Sequence, residues 1–329
     1  MTNLKELLKD GKWEAVLKAY GTPRNFANFT YTRLLPNDEN EDDIPLRVVV
    51  AEGYASRRAL MDKQKKEAEE REKLGLPKRW EYDGGKREDG TTCFLCDNVG
   101  QAEAVGNNLL LPYEAYPNEV LLPNKYPAIR GHNLVVEKEH QQGTLKLAPH
   151  LIEVGVELAE KYDFDILRNH PKAGMSIPGH DHFQGYPKAI NTFLEERVHF
   201  TGLADCELVR TDLGEEVYRL TRTRFDTIAF TGKRALETFF RTIGKLEQDN
   251  NIFTCFYEPK GGSIEASGIF YLSPHAKEVK DERGWVGGES WYHPVITPEK
   301  DEDFKYEDHF ALAKEGICAR GTFDWEKYF

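Results

Sequence analysis

The feature that most constrains this chain is an order of short runs that it writes twice. "NEVLLP" (118–123), "HNLVVE" (132–137), "DFDILRN" (163–169) and the segment around His180 to Gln184 are brief, mostly apolar runs bounded by Pro, Asn and Gly, and so read as strands. Ahead of them "NNLLLP" (107–112) reads the same way. Between the second and third of the four lies "TLKLAPHLIEVGVELAEKY" (144–162), with Leu151, Val154, Val156 and Leu158 apolar and Pro149 suited to a first helical turn. The second half follows suit. "EVYRLTRT" (216–223) and "DTIAFTG" (226–232) read as strands, and "KRALETFFRTIGKLEQ" (233–248) as a helix with Leu236, Phe239, Phe240 and Ile243 on one side. "NIFTCFYEP" (251–259) and "GIFYLSP" (268–274) then read as strands again. Two similar runs of this kind predict an internal duplication.

The flanks differ in character. Residues 1–20 read as an amphipathic helix, and 56–74 as a helix so rich in charge that it faces solvent. Residues 75–92 form a Gly-rich charged loop, and the tail from Lys277 reads as irregular, in the position of a lid or a dimer arm. The formal charge of −12 argues against a nucleic-acid backbone or an anionic membrane as the main partner, though not against a small phosphorylated ligand. The start of the chain is charged and carries no long apolar run, so a cytoplasmic location is the default expectation.

Two places carry chemistry. Five cysteines in 329 residues do not make a disulfide framework. Cys206, Cys255 and Cys318 read as inert core thiols, whereas Cys93 and Cys96 form a C-x-x-C in a loop. Such a pair fits redox work poorly without a thioredoxin-like context, and zinc only if two further ligands exist; two unpaired thiols are the plain alternative. The second place is "SIPGHDHFQGYP" (176–187). On a strand His180, His182 and Gln184 share one face, and Asp181 and Phe183 take the other. Three polar side chains in a row suit a site: one imidazole for a metal, one as a nucleophile toward phosphorus, an amide for a phosphate oxygen. They equally suit the exposed face of an edge strand anchored by Phe183.

Taken with "LLPNKYPAIRGHNLVVEKEHQQGTL" (121–145) and "LRNHPKAGMSIPGHDHFQ" (167–184), these motifs resemble the histidine-triad superfamily. Its pattern is N-x-x-P, G-H, an apolar strand, a charged turn with His, a helix, then H-x-H-x-H or H-x-H-x-Q. The version ending in Gln is similar to the galactose-1-phosphate uridylyltransferase branch, with its nucleotide-sugar and dinucleotide phosphorylases. The resemblance spans residues 93–187. It implies an α+β fold of duplicated half-domains, antiparallel sheets with packed helices. The chain would divide into a helical, charged extension (1–92), a catalytic half with a zinc loop (93–200), and a degenerate second half with the tail (201–329).

The resemblance also implies roles. Cys93, Cys96, His140 and His180 would bind a structural zinc. His182 would be the nucleophile, and Gln184 would hydrogen-bond the phosphate. Asn169, Gly174 and Ser176 would lie at the phosphates and Asn124 near the ribose. The chain departs from the family in having Ser176 four residues before His180, one more than usual, and Asp181 where an apolar residue or Pro is common. The uridylyltransferases' sugar-binding residues find no match in 277–329. His132 is expected as a packing or turn residue. His150, His170, His199, His275, His293 and His309 are expected at the surface or in satisfied structural roles, with no support for a second metal among them. The function implied is a nucleotidyltransferase passing a nucleoside monophosphate from a nucleotide sugar or dinucleotide to a sugar 1-phosphate or inorganic phosphate, by way of a nucleotidyl-histidine. A nucleotide-sugar or dinucleoside-polyphosphate phosphorylase is the alternative. A nucleotide hydrolase and a zinc-stapled nucleotide-binding protein are further ones, and the family implies a homodimer.

Overall fold

A computed structural model describes residues 15, 17–18, 29–35, 46–51, 66, 69–70, 73–75, 93, 95–96, 98–99, 117–125, 127, 131–138, 147, 149–173, 175, 180–187, 206–212, 215–221, 225–259, 268–277, 295–296 and 316–329. The central feature among them is a nine-stranded sheet. Its first half holds β3 (Glu119–Pro123), β4 (Asn133–Glu137), β5 (Phe164–Asn169) and β6 (His182–Pro187). Helix α1 (Pro149–Tyr162) links β4 to β5. The second half holds β7 (Cys206–Asp212), β8 (Glu215–Leu220), β9 (Ile228–Gly232), β10 (Ile252–Glu258) and β11 (Ile269–His275), with helix α2 (Ala235–Gln248) between β9 and β10.

The order across the sheet is β3-β4-β6-β5-β10-β11-β9-β8-β7, and every pairing within it is antiparallel. The fold is therefore α+β. The first half runs strand, strand, helix, strand, strand; β8 to β11 repeat that run with β7 added ahead of them, and each half places its last strand beside the strand that follows its helix. They meet where β5 pairs β10, with Arg168 opposite Cys255. Each helix is followed by one residue in the left-handed region, Asp163 and Asn250, both at φ 58°. Asp and Asn tolerate that conformation, and it turns the chain from the helix into the central strand.

The two helices build one core with the sheet. Leu151, Val154 and Leu158 of α1 and Phe239, Ile243 and Leu246 of α2 join Val135, Ile166, Phe183, Phe230, Phe253 and Phe270 in a single buried cluster. The approach of α1 is close: a Cβ on Gly155 would stand 2.9 Å from Ile166 Cδ1 and 3.7 Å from Phe183 Cδ2. Gly185 serves the same end within β6, since a Cβ there would meet Phe164 Cε2 at 2.9 Å.

Several sequence expectations need correction. The extension 1–92 is not simply helical. It holds β1 (Phe29–Leu35) and β2 (Leu46–Ala51), an antiparallel pair joined by β12 (Val295–Ile296) in parallel with β2. The tail, read as irregular, thus supplies a strand. It also returns to the second half, where Cys318 N donates to Pro274 O and Trp325 Nε1 to Asp226 Oδ1. The signal for these strands was present, since Val48–Val50 and Thr30–Thr32 are strand formers. β7 was also missed. The charged helix is helical and exposed at residues 66, 69, 70 and 73. "NNLLLP" and most of the first helix lie outside the described residues. Finally, β6 begins at His182, so His180 and Asp181 precede the strand.

Candidate active site

The row of polar side chains does not lie on an edge. β6 sits between β4 and β5, and His182 and Gln184 are 3 % and 8 % exposed. The edge-strand reading is thereby excluded. Leu134 and Leu167 both stand opposite Gln184, so they share its face. By alternation His132 and Asn169 belong to that face too. Phe183 lies on the other, against α1.

Ring orientation at His182 is set by its own backbone neighbourhood. Nδ1 lies 2.9 Å from the carbonyl oxygen of His180. A carbonyl can only accept, so Nδ1 carries the proton and Nε2 keeps the lone pair in the neutral ring. Burial holds the imidazole's pKa down to about 4, against the raising influence of the His180 carbonyl and Asp181. A neutral imidazole of fixed tautomer is a competent nucleophile.

His132, expected as packing, is part of this site. Its Nε2 donates to Gln184 Oε1 at 2.5 Å, and its ring stacks on Tyr186 with centroids 4.4 Å apart. Asn124 Nδ2 donates to Gln184 Oε1 at 3.5 Å and lies beside His132 Nε2, which as a donor takes no bond from it. With Oε1 accepting, the NH2 of Gln184 is the end left to donate to an anion. The signal for His132 lay in the strand alternation: it sits two residues before Leu134, which pairs with Gln184. Asn169 is buried at the end of β5, where its Oδ1 accepts from Thr254 Oγ1 at 3.2 Å. Gly174 and Ser176 lie outside the described residues.

His180 turns to a different job. Its Nδ1 is 3.3 Å from Cys93 Sγ and 3.7 Å from Cys96 Sγ, and its Nε2 donates to Glu137 O at 2.8 Å. Tetrahedral zinc with ordinary Zn–S and Zn–N bonds spaces S and N about 3.5 Å apart. The donors present therefore fit that ion, and the Glu137 carbonyl fixes the imidazole as an outer partner of a metal ligand does. His140, the fourth ligand expected, lies outside the described residues. Of the remaining histidines, His170 and His275 are buried and hydrogen-bonded. His150 is half-exposed, and His199, His293 and His309 fall outside the described residues.

No helix among the described residues is long and apolar enough to cross a membrane. A family model described as a domain of unknown function (DUF4922) matches residues 86–187, less than half of the chain. No curated protein matches. Among solved structures, the chain is similar to yeast Ap4A phosphorylase Apa2. Its crystal structure aligns at 13 % identity with a TM-score of 0.58, covering 97 % of this chain and 99 % of that one. The complex of that enzyme with Ap4A gives 13 % and 0.57 over 97 % and 99 %, and the complex with AMP 13 % and 0.56 over 97 % and 98 %. At this identity the likeness establishes the fold, which this chain shares with Apa2 over nearly its whole length.

Proposed function

We propose that this protein is a nucleotidyl-transferring phosphorylase of dinucleoside polyphosphates, working through a nucleotidyl intermediate on His182. The observation that carries the reading is the His182–His180 contact. Nδ1–H is spent on a backbone carbonyl, so Nε2 is the nitrogen with a pair to give. The fold shared with an Ap4A phosphorylase supports a dinucleotide ahead of the nucleotide sugar that the motifs alone favoured. It supports inorganic phosphate ahead of a sugar 1-phosphate as the acceptor.

In the first step His182 Nε2 attacks the α-phosphorus. An N–P bond forms, the P–O bond to the bridging oxygen breaks, and the remaining nucleoside polyphosphate leaves with that oxygen. The ring then carries a positive charge, which the His180 carbonyl at Nδ1–H stabilises. The Gln184 NH2 donates to the equatorial oxygen that gains charge, held in aim by His132 and Asn124. Asn169, Gly174 and Ser176 complete the phosphate contacts in this reading, and Asn124 lies toward the ribose. In the second step an oxygen of inorganic phosphate attacks the same phosphorus. The N–P bond breaks, and a nucleoside diphosphate departs while His182 returns to its neutral form. Two like displacements replace one difficult exchange.

Zinc on Cys93, Cys96, His140 and His180 would supply a structural clamp. This chain's part is to tether the 93–96 segment, expected as a loop but helical at Leu95 and Cys96, to the residue whose carbonyl orients the nucleophile. The strand, strand, helix, strand, strand order common to β3–β6 and β8–β11 and the matching left-handed residues Asp163 and Asn250 support a duplicated origin, with 93–200 as the catalytic half and 201–329, which adds β7, as the degenerate one. The test is intact mass after incubation with dinucleoside tetraphosphates and with nucleotide sugars, without acceptor. A gain of one nucleotidyl mass from the dinucleotide, acid-labile and missing in His182→Ala, is expected. Adding phosphate should then release a nucleoside diphosphate. No adduct with any of these donors would sink the mechanism, and an adduct from nucleotide sugars alone would restore the sugar transferase.

A further inference from the structure

Glu119 opens β3 and Glu137 closes β4, and the two are direct cross-strand partners. Both are more than nine-tenths buried. Like charges placed opposite each other on neighbouring strands repel, and burial deepens the cost. The residue above them is His150, in the first turn of α1. Its Nε2 stands against Glu137 Oε1 and 3.8 Å from Glu119 Oε1. Among the described residues the Glu119 carboxylate has no hydrogen bond, although the side chain is only 9 % exposed. One imidazole nitrogen can serve one carboxylate, and Glu119 is left aimed into the same space.

The donor atoms of all three residues lie within 4.8 Å of one another. Ligands around a single ion at ordinary bond lengths are spaced roughly 3 to 4.5 Å apart. They come from three separate elements, so the strand register and the docking of α1 hold them together. His150 has a side chain 49 % exposed, which opens one side to water ligands.

We propose that Glu119, Glu137 and His150 form a second metal site, for a divalent cation that accepts an oxygen-rich set with one imidazole, Mn²⁺ being the fitting ion. Thiolate is lacking, which sets the site apart from the Cys93–Cys96–His180 cluster, and the imidazole disfavours Mg²⁺ and Ca²⁺. The site lies on the opposite face of the sheet from Gln184, since Glu137 is three residues from Leu134. It still connects to the nucleophile strand. The backbone carbonyl of Glu137 holds His180 while its side chain holds the cation, so the ion pins α1 and the β3–β4 edge around that carbonyl.

The experiment is a Mn²⁺ titration of the full chain with its thiolate site zinc-loaded, reading free Mn²⁺ by electron paramagnetic resonance. Wild-type protein should take up about one Mn²⁺, with affinity falling tenfold or more in His150→Ala and in Glu119→Gln. Cys255→Ala, at a residue outside both ligand sets, should leave Mn²⁺ uptake unchanged. Glu119→Gln removes a buried charge and keeps the side chain's shape, so the comparison survives should His150→Ala loosen the helix. Absence of uptake by the wild type, or uptake undiminished in the Glu119→Gln/His150→Ala double variant, would overturn the site and leave an imidazolium–carboxylate cluster in its place.

Discussion

Arg168 Nε donates to Asp181 Oδ1 at 2.7 Å inside the core, and the two side chains are 0 % and 4 % exposed. The same Oδ1 accepts from the backbone N–H of His182 at 3.0 Å. Arg168 stands at the seam of the two halves, opposite Cys255. Burial works against its charge, but Asp181 more than offsets this and the guanidinium's pKa is raised. The residue between the two histidines thus fastens the start of β6 to the middle of the sheet, from the face opposite Gln184. Asp181→Ala would strand a buried guanidinium and should cost about 3–5 kcal/mol. Asp181→Asn keeps an acceptor and should cost less. Urea unfolding of both variants checks the order, and equal losses would contradict it.

Gln184→Ala should slow formation of the His182 adduct by roughly 10²–10³-fold, the loss of one donor to a developing charge. His132→Ala leaves the amide in place but removes its orienting donor. Its effect should be smaller, about tenfold to a hundredfold, and should fall on the single-turnover rate rather than on substrate affinity. Rapid-quench measurements distinguish the two, and a His132→Ala defect confined to affinity would place that residue outside the chemistry.

Elemental analysis should find zinc bound at the thiolate site, lost in Cys93→Ser and His180→Ala together with thermal stability. Cys255 offers the control. It is buried and its thiol is pushed up to about 12, chiefly by burial, so Cys255→Ala should keep the metal. A protein free of zinc and fully folded would remove the Cys93, Cys96, His140 and His180 assignment.

Acid should destabilise the fold before its carboxylates titrate. His170 is held at about 4 and His275 at about 3, in both cases first by burial. Each is neutral in the folded chain and protonates near 6.5 when unfolded. Their contribution is therefore whole above pH 6.5 and declines as pH falls toward 4 and then 3. At pH 5 each accounts for about 2 kcal/mol of lost stability. His275→Gln should flatten the pH dependence of the unfolding free energy between pH 6 and 4. An unchanged slope would show that this residue does not carry it.

Gly155→Ala should destabilise by about 1–3 kcal/mol despite the better helix propensity of Ala, because its Cβ would press on Ile166. Thermal melts against Gly244→Ala make the comparison, since at Gly244 in α2 a Cβ meets nothing within 4 Å. A Gly155→Ala variant as stable as its parent would mean that α1 can move off the sheet.

Much of this molecule could be read along the chain. Alternation and helical spacing are local properties, so β3–β6, α1, β8–β11 and α2 were legible, as was the separation of Asp181 and Phe183 from His182 and Gln184. The strands β1 and β2 left a signal in their strand formers, whereas β12 left none. In a two-residue strand such as Val295–Ile296, only a partner 245 or so residues away makes the segment extended. The site divides in the same manner. Residue types and spacing singled out His180, His182 and Gln184, because imidazole and amide chemistry belongs to the side chains themselves. Their division of labour depended on contacts between distant segments. Cys93 reaches His180 across 87 residues, and His132 reaches Gln184 across 52. Those contacts exist because β6 inserts between β4 and β5, an order that follows from burying both faces of the sheet at once and that local pattern does not encode.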